Sequence, residues 1–294
     1  NTSYGSAVLW RSGADFNTVR NCKLVGASYY ATSSYGAVVH FSNGGNDSNL
    51  VQNCVIGDPT GNIRSSYMVY AYGSSTGTPN RGNKIVGNEI VNWGQSSGSY
   101  SYYGLYINYY NFGMIVQGNR IHQPEGAYYY YAYCMYIYEY YGYSRNTRVD
   151  GNRFYELSRG TIYSYGYWYL VYCYAYRGSN SNYQFINNMI NHDQNDIYWY
   201  GLYTYLYYAS SSFNADICHN TYRIAGGVGT NYYTYYPMYV YGYNGGGDAV
   251  ATVHHYNNIY EFNRPRVYYA WMVYYICANW YSDYNIVNFW TPPY

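Results

Sequence analysis

The chain is poor in charge. Asp, Glu, Lys and Arg make up 10% of its 294 residues, the net charge is +1, and Lys is nearly absent. A nucleic-acid partner is excluded, because no basic stripe is present to neutralise phosphates. Scarce charge with abundant aromatics also excludes intrinsic disorder, which has the opposite composition. No apolar run approaches the roughly 18 residues of a membrane-spanning helix, and no secretory leader opens the chain. It starts at Asn1 without Met, as a processed or trimmed product would. The six cysteines form no Cys-x-x-Cys pair, so their spacing gives no metal site. Phe and Leu are scarce beside Tyr, so hydrophobicity alone does not account for the aromatic content.

Tyrosine is what the chain has. It occurs 55 times, and it favours strands, with an apolar ring and a polar tip. The Gly, Ser, Asn and Tyr bias runs from end to end without a linker. One continuous domain over 1–294 follows, either whole or a fragment or repeat unit of a longer surface protein. The Lys-poor composition suits an extracellular or cell-surface location.

A short motif repeats: a small polar pair, a variable residue, then an apolar one. It reads Asn21-Cys22-Lys23-Leu24, Asn53-Cys54-Val55-Ile56, Gly87-Asn88-Glu89-Ile90, Gly118-Asn119-Arg120-Ile121 and Gly151-Asn152-Arg153-Phe154. Asn187-Asn188-Met189-Ile190, His219-Asn220-Thr221-Tyr222, Asn257-Asn258-Ile259-Tyr260 and Tyr284-Asn285-Ile286-Val287 complete it. Successive copies are separated by 32, 34, 31, 33, 36, 32, 38 and 27 residues. An Asn at one bend of every coil can stack on the next and satisfy groups that the bend leaves unpaired. Cys22 and Cys54 then fill the same slot as ladder members, with a bridge between adjacent coils left open.

Between these bends lie alternating strands led by Ala7, Ala37, Met68, Leu105, Met135, Ile162, Leu202, Met238 and Met272. Leu9, Val39, Ile107, Ile137 and Val240 follow two residues on, and period two places both sets inward. Two repeats in fixed phase describe coils that wind. The chain thus resembles the right-handed parallel β-helix superfamily, the pectate-lyase-like fold that includes extracellular repeat proteins. The expected fold is all-β, a right-handed parallel β-helix (β-solenoid) of about nine coils.

Outward positions of the same strands predict three tyrosine ladders. The first takes Tyr106, Tyr136, Tyr163, Tyr203 and Tyr239. The second takes Tyr138, Tyr165, Tyr205 and Tyr241, with Asn108 before and Tyr275 after. The third takes Tyr110, Tyr140, Tyr167, Tyr207 and Tyr243. In the first three coils the equivalents are small or mixed: Val8, Trp10, Ser12; Val38, His40, Ser42; Val69, Ala71, Gly73. Tyr128–Tyr131 and Tyr232–Tyr236 precede strands and are placed along one edge of the array.

The resemblance implies, for lyases of the fold, clustered carboxylates for calcium with an Arg or Lys base. For hydrolases it implies Asn-Thr-Asp, Asp-Asp and Gly-His-Gly signatures, none of which occurs. Glu139 is the one carboxylate of the Tyr strands, with a phase pointing inward or to a strand end. Asp193 and Asp196 read as turn residues. His254 and His255 lack identifiable metal partners, with one of them expected in a loop. Arg264, Arg266 and the Arg153, Glu156, Arg159 group read as surface charge, and Lys23, Arg120 and Arg153 as a sparse outward column. No catalytic residue, metal or cofactor is assigned.

The expected function is an extracellular structural or adhesive β-helix, able to form filaments, with the tyrosine ladders as contact face for copies of itself. The alternative is a carbohydrate-binding β-helix, or a polysaccharide lyase or hydrolase acting on an acidic or neutral glycan. Neither requires nucleic acid or a membrane span.

Overall fold

The computed structural model describes residues 5–26, 36–75, 77–94, 101–124, 129–140, 144–156, 162–177, 180–192, 198–209, 211–225, 235–243, 251–263, 271–274 and 278–289. No α-helix occurs among them. Among the described residues, three parallel sheets of nine strands each enclose one core, with a short parallel pair of Asn80–Arg81 and Asn111–Phe112 between two of them in chain order. The first sheet runs from Val8–Trp10 to Trp271–Tyr274, the second from Thr18–Arg20 to Ala278–Asp283, and the third from Lys23–Leu24 to Ile286–Phe289. Each strand pairs with its counterparts in the preceding and following coils, so the chain is a parallel β-solenoid, the fold class expected.

The Asn motif turns the chain from the second sheet to the third. Its first residue adopts a left-handed backbone in every coil, from Asn21 at φ 56° to Gly151 at 64° and Asn257 at 55°. Gly and Asn are the residues that tolerate this region, which explains their choice there. The second residue builds the ladder. Asn119 donates from its backbone N–H and from its side-chain amide to Asn152 Oδ1, both at 2.9 Å. Asn152 repeats this toward Asn188, Asn188 toward Asn220, Asn220 toward Asn258, and Asn258 toward Asn285. Each amide also donates to a carbonyl of the preceding coil, as Asn152 does to Val116 O at 2.9 Å. Cys54 holds the same slot, with its N–H donating to Asn88 Oδ1 at 2.9 Å, and both Cys22 and Cys54 are free thiols.

Two further Asn columns, not anticipated from the sequence, tie the bend between the first and second sheets in the early coils. Asn17, Asn49 and Asn83 form one, Asn46, Asn80 and Asn111 the other. Both give way to Met114 and Ser144 in the coils that follow, so they lack the full-length repetition that exposes a motif.

The core is built of stacked columns. Leu24, Ile56, Ile90, Ile121, Phe154 and Ile190 line the third sheet, and Val51, Ile85, Val116, Val149, Phe185 and Ile217 the second; all are buried. Each such side chain contributes about 1.5–3 kcal/mol by leaving water.

In the first sheet the alternation is broken once in each coil from the second to the eighth. Met68 and Val69 both face inward, as do Gly104 and Leu105, and Cys134 and Met135. The first member of each pair drops out of the backbone register, and Pro237 occurs at that position, where no ladder hydrogen bond is required. This irregularity corrects the expected phase. Val8, not Ala7 or Leu9, aligns with Val39, and Leu9 is exposed. Val69 and Ala71 are inward and buried, while Tyr70 and Tyr72 take the outward places. In the last coil Trp271, not Met272, aligns with Met238.

An Asn152→Ala variant leaves two donors of Asn119 without their acceptor and is expected to lose about 2–4 kcal/mol of stability, read from the urea midpoint. Cys54→Asn extends the ladder by one coil, toward Val19 O and Asn88 Oδ1. It is expected to gain about 1 kcal/mol in the same measurement.

Candidate functional site: the tyrosine face

The inward pair sets the outward spacing on the first sheet. A ring precedes the pair, a ring follows it, and alternation then resumes, giving Tyr-x-x-Tyr-x-Tyr-x-Tyr. Tyr169, Tyr172, Tyr174 and Tyr176 show the full pattern, as do Tyr200, Tyr203, Tyr205 and Tyr207, and Tyr236, Tyr239, Tyr241 and Tyr243. In-register parallel pairing turns the pattern into columns.

The first column is Tyr67, Tyr103, Tyr133, Tyr169, Tyr200 and Tyr236, with ring centroids 4.9–5.3 Å apart and planes within 16° of parallel. The second is Tyr70, Tyr106, Tyr136, Tyr172, Tyr203 and Tyr239, at 4.9–5.2 Å and within 18°. The third joins Tyr138, Tyr174, Tyr205, Tyr241 and Tyr274. Tyr109 enters it in place of the buried Asn108, meeting Tyr72 and Tyr138 edge-on. The fourth stacks Tyr176, Tyr207 and Tyr243 at 5.4 Å, with Tyr140 in register beneath Tyr176. Neighbouring columns meet nearly perpendicular, as Tyr133 and Tyr136 do at 5.4 Å and 85°. Stacks along the axis and edge contacts across it make a herringbone lattice, both geometries being the ones aromatic quadrupoles favour.

The structure corrects part of the expected assignment. Tyr106, Tyr136, Tyr138, Tyr203, Tyr205, Tyr207, Tyr239, Tyr241 and Tyr243 lie in the columns. Tyr163, Tyr165 and Tyr167 do not take the expected places; Tyr172, Tyr174 and Tyr176, nine residues on in the same strand, do. Tyr167 aligns instead with Tyr131 and Tyr198 in a flanking column. Tyr110 follows its strand with a left-handed backbone at φ 58° and leaves the third ladder. Tyr274 aligns with Tyr241, while Tyr275 lies outside the described residues. Tyr129–Tyr131 and Tyr235–Tyr236 belong to strands and do not precede them. The missed residues, Tyr67, Tyr103, Tyr133 and their column, were readable from the Tyr-x-x-Tyr spacing. Strict period two hid them.

Most lattice rings are half-buried, while Tyr243 and Tyr274 are exposed at 39% and 41%. Burial, reinforced by neighbouring phenols, pushes the hydroxyls of Tyr103 and Tyr174 up to about 12, and those of Tyr136 and Tyr172 higher still. These lattice phenols are therefore neutral at any physiological pH.

Other candidates resolve into structural roles. Glu139 points into the core and is fully buried, accepting from Ser181 Oγ at 3.1 Å and from the Thr147 N–H at 3.4 Å. His254 and His255 both lie on the strand Ala251–Tyr256, neither in a loop. His254 faces out, 2.8 Å from Asp216. His255 faces in, 2.7 Å from Tyr260 Oη and 2.9 Å from Ser282 Oγ, and burial lowers its imidazole to about 4. Lys23, Arg120 and Arg153 share one outward column of the third sheet, with Val55 and Glu89 between. Beside it His122 bridges Glu89 at 2.9 Å and Glu156 at 3.3 Å through opposite ring nitrogens, so the two carboxylates cannot meet the imidazole at one ion. Among the described residues no group of three or more His, Cys, Asp or Glu could hold a metal. Asp193, Asp196, Arg159, Arg264 and Arg266 lie outside them.

No family model, no curated protein and no solved structure matches this chain.

Desolvation pushes the Glu139 carboxyl from 4.5 up to about 7, against its hydrogen bonds, which act the other way. The folded state then holds its proton more tightly than the unfolded chain. The associated stability is complete below pH 4.5, falls as pH rises toward 7, and is gone above it. The loss is on the order of 3 kcal/mol. Glu139→Gln is expected to flatten that slope, with urea midpoints across the window as the measurement.

Proposed function

We propose that the chain is an extracellular structural and adhesive β-helix protein that assembles through its tyrosine face. The observation that supports this best is the lattice itself: a periodic face of neutral phenols, with Arg177 at its rim over Tyr176, whose first two columns run through six successive coils. A face of neutral phenols meets its own copy without repulsion. An apolar surface of this extent is what contact sites present. Because the lattice repeats with the coil, two faces can pair with a stagger of whole coils, which extends a dimer into a filament. The low content of charged residues, 10% of the chain, supports the extracellular placement.

A glycan platform fits the geometry less well. Sugar rings stack on open aromatic faces, but here the ring faces are turned to one another. Tyr136, for example, lies between Tyr106 at 5.1 Å and Tyr172 at 5.2 Å, with Tyr133 against its side. What the lattice offers to solvent is ring edges and hydroxyls.

The test uses Tyr243→Lys combined with Tyr274→Lys, two exposed positions where charge does not disturb the core. Sedimentation velocity and electron microscopy are expected to show concentration-dependent assembly of the unaltered chain and monomers of the variant, at equal melting temperature. An unaltered chain that stays monomeric at high concentration while binding a glycan array would sink this reading.

A further inference from the structure

We propose that the tyrosine face is a site of oxidative modification, where two copies of the chain are joined by dityrosine bonds. This rests on the self-contact reading above and names the chemistry that makes the contact permanent.

Area supplies the first argument. Four columns spanning about 23 Å along the strand and six coils spanning about 24 Å along the axis cover roughly 550 Å². A stable interface buries about 800 Å² on each partner, so face-to-face contact alone is transient. A lasting assembly needs a bond in addition, and phenol is the reactive group the face supplies.

Ring geometry decides where that bond can form. The new carbon–carbon bond of dityrosine lies in the plane of both rings. Within a column the rings are stacked, as Tyr207 and Tyr243 are at 5.4 Å and 14°, so their faces meet and their ortho carbons do not. Between columns an edge meets a face, as for Tyr205 and Tyr207 at 5.6 Å and 68°. Neither arrangement brings two ortho carbons together in one plane. Coupling among the stacked and edge-on rings is thereby suppressed, and Tyr243 and Tyr274, the latter tilted 36° from Tyr241 at 5.7 Å, are the exposed lattice rings that a second copy can reach.

The reaction requires a one-electron oxidant of the peroxidase–hydrogen peroxide class. Each of two phenols gives one electron to the oxidant and its hydroxyl proton to water. Close stacking lets a neighbouring phenol refill an oxidised ring, so the radical moves along a column until it reaches an exposed edge. Two radicals on facing copies then join ortho carbon to ortho carbon. Each ortho hydrogen leaves as a proton and returns, through solvent, to the ring's own oxygen, which restores both aromatic rings. Each cross-link thus releases two electrons and two protons.

Natural-abundance and ¹⁵N-labelled protein are mixed at a concentration where sedimentation detects association, then treated with peroxidase and hydrogen peroxide. Mass spectrometry is expected to find dityrosine in mixed-label dimers, in peptides that contain Tyr243 or Tyr274. Tyr243→Phe with Tyr274→Phe, which keeps the rings, is expected to lose most of the dimer. Tyr281→Phe with Tyr284→Phe, outside the lattice but more exposed at 51% and 76%, is expected to lose none. Cross-links within one chain, cross-links that follow exposure to Tyr281 and Tyr284, or none at all would overturn the inference. If association persists without oxidant while cross-linking fails, only this inference falls; absence of association removes both.

Discussion

Everything in this molecule depends on one coil being held directly over the next. The backbone ladders of three parallel sheets supply the spacing, and the Asn column at the bend supplies the register. Each ladder Asn accepts twice from the preceding coil and donates to that coil's carbonyl and to the next Asn. A slip by one residue would leave these buried groups unpaired and turn core side chains outward. Buried amides cost more unmade than they contribute when made, so the column acts chiefly against wrong registers.

The tyrosine lattice is a consequence of that register. Aromatic rings are thinner than the ~4.8 Å coil repeat, so rings in perfect overlap would leave their faces out of contact. They resolve this by offset stacking along the axis and by turning edge-on across it. The repeated inward pair in the first sheet provides the extra room between the first two columns. The lattice in turn covers the sheet with neutral phenols whose protons are held well above physiological pH.

The core beneath it is less uniform. Glu139, His255, Tyr183, Tyr222 and Tyr260 are buried in the later coils, as Trp93 and Tyr102 are in the earlier ones. Tyr222 and Tyr260 continue the Ile column of the third sheet and stack at 4.7 Å. The same ladder logic therefore operates inside and outside the solenoid.

Much of this was legible in the residues alone. The winding architecture and the full-length Asn column followed from a motif recurring every thirty-odd residues, because a periodic requirement leaves a periodic trace. So did most of the second column, including Tyr106, Tyr136, Tyr203 and Tyr239. What the chain could not disclose by alternation was the inward pair, since Met68-Val69 or Leu170-Val171 looks like any apolar run until a neighbouring coil fixes which residue aligns with which. That pair created the column from Tyr67 to Tyr236, while the length of the strand Ile162–Tyr176, in which Val171 and not Ile162 aligns with Met135, put Tyr172 in the lattice in place of Tyr163. Composition and spacing determined that rings would stack. Only the packing of coil upon coil decided which rings, and it turned their faces toward one another and their edges to the solvent.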